Sequence, residues 1–385
     1  GQDIVIDGTG AQPYHATLFS GYLPFPHKHA RPPQVYQQRT RPSGGMELLS
    51  SQHFPPEFEG NLIVTNCIGF QGLLRYRLSD DGASFKGQEL EPILSSSDPN
   101  FRPVDAKVGP DGALYFLDWH NPIIGHMQHN LRDPSRDRSH GRVYRVTYNG
   151  RPLSNSPRIA GEPIDQLVAL LQHPEDRVRY RVRIELGSRE TTAVLAALQK
   201  WLAGLDKKDP NYEHARLEAL WVHQWHNVVN PELLQEVLHS PEFRARAAAV
   251  RVLTAWRDRL PQALDWLRAA INDPHPRVRL EAVRSLSFFP GAEALPILAD
   301  VLAHPDDPYI RFVFRETLRA LELDLGVSGG GGGIATVLAK MLATGKVPPE
   351  RRAAYVETVC RQGTAADLQV IWNTIVADAQ QPPAL

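Results

Sequence analysis

The densest run of chemically useful side chains is Asp118-Trp119-His120-Asn121-Pro122-Ile123-Ile124-Gly125-His126-Met127-Gln128-His129. An imidazole changes charge near neutral pH. His120 or His126 therefore suits a general base that takes a proton from a substrate hydroxyl. With Asp118 at the head of the run, these form the candidate catalytic set. His126 and His129, three apart, could instead share a metal ion, with Asp118 or Asp133 as an oxygen donor. The same histidines also suit a hydrogen-bonded loop in which each ring is structurally satisfied. His27-Lys28-His29 alternates, so an extended chain puts both rings on one side, for copper or haem contact or simply as a surface loop. Asp133, Arg136, Asp137 and Arg138 read as an internally salt-bridged turn. The chain has no Gly-rich phosphate cradle, no GxSxG elbow and no HExxH helix.

Short apolar alternations between turn signals must carry the histidine loop. Expected strands are Glu47–Ser50, Asn61–Asn66, Leu73–Leu78, Glu89–Ser95, Pro103–Val108, Ala113–Asp118 and Arg142–Tyr148. Asp80-Asp81-Gly82 and Gly109-Pro110-Asp111-Gly112 are tight turns that need a glycine at positive φ. A strand, a Gly-Pro-Asp-Gly turn and a second strand read as the inner hairpin of a propeller blade. Residues 44–160 hold about two blades, and a closed propeller needs at least four. The missing blades must come from upstream or from a partner. Residues 1–43, rich in proline and histidine, read as a long ordered loop packed against this segment.

From residue 161 to 385 the pattern is helical and repeated. His173-Pro174-Glu175-Asp176-Arg177-Val178-Arg179, Ser240-Pro241-Glu242-Phe243-Arg244-Ala245-Arg246, Asp273-Pro274-His275-Pro276-Arg277-Val278-Arg279 and His304-Pro305-Asp306-Asp307-Pro308-Tyr309-Ile310-Arg311 share one form. Each is a proline turn, one or more acids, then an apolar-Arg pair that opens a helix. With Ala215-Arg216 as a degenerate member, the arginines 179, 216, 246, 279 and 311 fall 30 to 37 residues apart, the period of one helical hairpin. A lone hairpin cannot bury its apolar stripe, so about six stack as a HEAT-like α-solenoid. The recurring arginine is expected to brace neighbouring repeats through an acid. Trp221, Trp225 and Trp256 are expected in the core or a groove, with a partner-binding patch as the other reading. Ser328-Gly329 to Gly333 has linker composition. The fold class is thus β + α multidomain: a partial β-propeller followed by an α-solenoid.

The 385 residues are 42% hydrophobic and 22% charged, with net charge −1. Lys and Arg number 16 against 15 acids up to residue 160, and 26 against 28 beyond it. Neither part has the basic excess of a nucleic-acid or membrane-surface binder. No apolar run reaches the roughly 18 residues of a membrane span, and no signal peptide opens the chain. Cys67 and Cys360 stand alone, without CxxC or CxxCH, and are expected as two buried thiols.

Longer blocks carry a resemblance. These are Asp7-Gly8-Thr9-Gly10, Pro26-His27-Lys28-His29, Gln34 to Arg41, Asp98 to Asp105, Gly109 to His129 and Asp133 to Val146. They resemble the membrane-bound-dehydrogenase-type proteins of planctomycete-type bacteria. Those proteins join a propeller of the glucose/sorbosone dehydrogenase type to HEAT repeats and a haem-binding cytochrome c domain. The resemblance covers essentially the whole chain and makes it an interior fragment. It implies a periplasmic or envelope location, with haem c on a separate domain not contained here. It also implies pyrroloquinoline quinone and calcium as cofactors. An Arg-x-Arg-Asp element of that family grips the anionic quinone; here Arg102-Pro103-Val104-Asp105 holds its place, with Val104 replacing the second arginine. Arg102 and Asp105 are the implied cofactor-binding residues; in the other reading Arg102 braces its loop through an acid such as Asp98. Three functions compete: oxidation of a sugar-like alcohol with electrons passed to cytochrome c, a non-catalytic scaffold for protein or glycan, and a metal or haem carrier.

Overall fold

Alternation and turn chemistry produce seven strands in the computed structural model, which describes residues 43–124, 130, 132–289, 293–324, 332–343, 347 and 349–379. The strands are β1 (Ser43–Leu49), β2 (Asn61–Asn66), β3 (Gly72–Asp81), β4 (Ser84–Ser95), β5 (Pro103–Val108), β6 (Leu114–Asp118) and β7 (Arg142–Val146). They form two antiparallel meanders, β1-β2-β3-β4 and β5-β6-β7. Neither sheet closes, and no propeller is seen among the described residues. Gly82 and Gly112 sit at φ +59° and +80°, the backbone that their turns require. The expected strands are all present; β3 and β4 run longer because their hairpin extends to the Gly82 turn.

One apolar core serves both sheets. Leu49, Ile63 and Leu73 of the first meet Ala106, Val108, Leu114 and Phe116 of the second, with Phe54 and Phe101 closing the ends. The strands β1 and β5 lie side by side, and glycine makes that approach possible. A Cβ on Gly45 would stand 1.9 Å from Asp105 Oδ1, and one on Gly44 2.5 Å from the Val104 carbonyl oxygen.

The helices are α1 (Ile164–Ala169), α2 (Asp176–Gly187), α3 (Thr191–Ala203), α4 (Tyr212–Trp225), α5 (Pro231–Leu238), α6 (Phe243–Trp256), α7 (Ala263–Ile271), α8 (Pro276–Leu286), α9 (Ala294–Asp300), α10 (Pro308–Asp324), α11 (Gly332–Ala343), α12 (Pro349–Gln362) and α13 (Ala365–Ala379). The glycine-rich run 328–333 lies outside the described residues except for Gly332 and Gly333, which open α11. The chain divides into two compact units at His226/Asn227. The first holds both sheets and α1 to α4; the second holds the later helices.

In three of the repeat turns the arginine works in the same way. Nη1 of Arg179 donates to the carbonyls of His173 and Pro174 at 2.6 and 2.8 Å. Arg246 does so to Ser240 and Pro241, and Arg279 to Asp273 and Pro274. The guanidinium thus closes the turn that begins its own helix. Arg246 also forks onto Asp273 of the following turn, at 2.7 and 2.9 Å, and Arg179 reaches Glu218 on α4 at 3.3 Å. Arg216 and Arg311 pair within their own segments, with Glu213 and Asp306.

Helix caps confirm the start signals. Asn230 accepts from Leu233 N with Pro231 at the first helical position, Glu242 caps α6, and His275 caps α8. Trp256 is buried, whereas Trp225 is 54% exposed and rests on Gly187, where any Cβ would collide with the indole. Trp221 is half-buried, with the Arg183 guanidinium 5.3 Å from its ring. Both cysteines are free; Cys67 is buried, but Cys360 is exposed rather than buried, because α12 turns it outward. Among the described residues no helix is long and apolar enough to cross a membrane.

Candidate functional site

The strand β6 ends at Asp118, and the chain then leaves the sheet. Asp118 is the anchor of that exit. Its side chain is fully buried, and its Oδ1 accepts from the backbone N–H of Arg102 at 2.6 Å and of His120 at 2.8 Å. The grip holds His120 at φ +50°, a left-handed backbone that a non-glycine residue adopts at a cost. It also brings the His120 ring back toward the same carboxylate. Nδ1 lies 3.5 Å from Asp118 Oδ2, an atom with no hydrogen-bond partner. The His120 side chain keeps 16% of its surface exposed. The carboxylate thus fixes the ring's backbone and faces its Nδ1, an arrangement that can orient an imidazole for proton transfer.

Arg102 does something other than the family resemblance implies. Its Nε donates to the Asn121 carbonyl at 2.8 Å, Nη1 to the Cys67 carbonyl at 2.6 Å, and Nη2 to the Pro122 carbonyl at 3.0 Å. All three nitrogens are engaged with main chain, so the side chain ties the β2–β3 connection to the loop after β6. Asp105 is likewise engaged, accepting from Lys107 Nζ and the Ala106 N–H. Val104 contributes no charge. These residues do not fit an anionic quinone: the Arg102 guanidinium is spent on carbonyls and the Asp105 carboxylate on Lys107 Nζ and the Ala106 N–H, so neither offers a free group to the ligand.

The metal reading is only partly accessible. His126 and His129 lie outside the described residues, as do His27 and His29. Asp133 accepts from the Ser135 hydroxyl and N–H, contacts that hold its carboxyl below the usual range. Among the described residues no cluster of three or more His, Cys, Asp or Glu could hold a metal ion.

Beside this knot opens a cleft of about 580 Å³, lined by Trp119, Asn121, Arg136, Asp137, Arg138, Ser139 and His140. Trp119 is 47% exposed. Arg136 is fixed by donation to the carbonyls of Asn130 and Ile123. Asp137 caps its own turn, accepting from the N–H groups of Ser139 and His140. Those bonds pull its carboxyl down to about 2 and keep it anionic. The His140 ring stands 3.1 Å from that carboxylate. The expected salt-bridged turn is therefore built mainly from hydrogen bonds to backbone. His140 and Trp119 were not singled out as site residues by spacing; the aromatic next to Asp118 was the available signal.

Comparison with known families gives two matches. Residues 24–150 match a family described as a domain of unknown function, DUF7133. Residues 230–319 match HEAT repeats. No curated protein matches the chain. The helices within residues 230–319 thus contain HEAT repeats, and the strands with the cleft are similar to DUF7133.

Proposed function

We propose that the β segment binds a polyhydroxylated, sugar-like ligand in the cleft beside Trp119, on a HEAT-repeat scaffold that engages another protein. The carrying observation is the composition of that cleft. An exposed indole face offers an apolar platform, and a fixed carboxylate, a fixed guanidinium, an amide, a hydroxyl and an imidazole surround it. Small-ligand sites combine an apolar surface with a few placed polar groups in this way. Isothermal titration of the full chain with a panel of mono- and oligosaccharides tests it. Binding that Trp119→Ala abolishes supports the reading; no heat across the panel, or equal binding by the variant, ends it.

A second reading keeps the chemistry. In it the chain is part of a periplasmic sugar or alcohol oxidoreductase that passes electrons to a cytochrome c domain. The unpartnered Oδ2 of Asp118 beside His120 favours it. His120 would take the hydroxyl proton while the hydride passes to a two-electron acceptor held outside these residues, and Asp118 would orient the ring. Arg102 and Asp105 take no part in holding an electron acceptor in this reading. Dye reduction by a full-length form supplied with quinone and calcium, compared with His120→Ala, decides it: turnover lost only in the variant supports a base. In either reading the two meanders correspond to neighbouring blades of an incomplete propeller, with β1 and β5 innermost.

A further inference from the structure

Among the described residues the second sheet stops one strand short of the first: β1 to β4 make four strands, while β5 to β7 make three, with β7 as one edge. Every residue of β7 from Arg142 to Arg145 is exposed, and Val143 is 70% exposed. Its cross-strand neighbour Leu117 is also exposed, at 47%. An open edge with an apolar pair beside it is a template for another strand. Natural proteins normally blunt such edges or cover them.

The charges on β7 select the occupant. The strand reads Arg-Val-Tyr-Arg-Val and contains no acid. A second copy of β7 laid against it would set two arginines against two more, which is unfavourable for directly opposed pairs. Arg145 has only a 3.7 Å contact with Asp111, and Arg142 has no partner among the described residues. In an antiparallel addition, the residues facing Arg145 and Arg142 lie three apart. The two between them face Tyr144 and Val143. A complementary strand therefore reads acid, apolar, apolar, acid.

We propose that the β7 edge is a docking site for an extended segment of a partner protein with this acid-apolar-apolar-acid pattern, added as a fourth antiparallel strand. Main-chain hydrogen bonds supply the affinity, and the two arginines set the register. The inference does not depend on the ligand reading of the cleft.

The test uses a fluorescein-labelled peptide, TEVVET, titrated into the full chain and followed by anisotropy. Hydrogen exchange is read on the β7 amides with and without peptide. The expected result is saturable binding, new protection of β7, and binding about tenfold weaker to Arg142→Glu. The charge-swapped peptide TKVVKT is expected to prefer that variant. If Arg142→Glu fails to fold by circular dichroism, Val143→Lys takes its place. The proposal is overturned if no binding occurs or if both variants bind as the parent does. It also fails if the outward β7 amides are already protected in the free chain, which would mean the chain covers its own edge. A concentration-dependent dimer that Arg142→Glu abolishes would replace it with self-association.

Discussion

Arg177, at the start of α2, donates to both carboxylate oxygens of Glu47 on β1, across 130 residues of sequence. The Glu47 side chain is only 5% exposed and that of Arg177 28%. Glu47 Oε2 also accepts from the Val108 N–H on β5. Two residues earlier, Glu175 accepts from the Gln52 N–H and the Ser154 hydroxyl. The first repeat turn is therefore keyed into the sheets through two acids, one on each partner. Whatever the cleft binds, its scaffold includes the first helical hairpin.

That relationship predicts a large, asymmetric response to mutation. Arg177→Ala leaves a buried carboxylate without its cation and is expected to cost about 3 kcal/mol in the first unit. The double variant Arg177→Ala with Glu47→Leu removes both charges and is expected to recover much of that loss. Urea unfolding followed by circular dichroism measures both. A single variant within about 0.5 kcal/mol of the parent would show that the pair is no more than a surface contact.

Arg102 gives a second prediction. A planar guanidinium reaches three carbonyls at once, and an ammonium on a single stem does not. Arg102→Lys is expected to lower stability by about 1–3 kcal/mol, since up to two buried carbonyls lose their donor. The loss should be the same with or without added pyrroloquinoline quinone and calcium in a thermal melt. A quinone-dependent rise in the parent's melting temperature that Arg102→Lys removes would restore the clamp reading.

The difference between what was legible in the sequence and what was not follows the kind of partner involved. The repeat arginines were legible because proline turns and acids recur with them, and Arg246 on Asp273 is the brace that pattern implies. Turn glycines such as Gly112 were legible because backbone conformation is a local property. The contacts of Arg102 were not legible because its partners are main-chain carbonyls at positions 67, 121 and 122. Carbonyls leave no residue signature. The Asp118–His120 pair was visible as a composition, but its geometry rests on the carboxylate capping two N–H groups, one from a separate strand. Arg177 looked like one more member of its turn, and only the fold places Glu47 against it.

Glu218 on α4 yields a pH prediction for the first unit. Its carboxylate is 1% exposed and meets Arg183, Arg179 at 3.3 Å and His214 at 3.1 Å. Burial pushes its carboxyl up, but the hydrogen bond from His214 and the charge and hydrogen bond of Arg183 together outweigh it, so the folded-state value is lowered. A lowered value means the folded state holds the proton less tightly than the unfolded one. The stabilisation is therefore present in full above the unfolded value of about 4.3 and is lost as pH falls through the lower folded value. Glu218→Gln removes the titrating group while keeping its volume. The variant is expected to be less stable than the parent at pH 7 and to lose less stability on acidification from about pH 5 to pH 3. Parallel pH dependence of the two proteins in urea melts would mean that the Arg183 and His214 contacts contribute nothing to the acid limb.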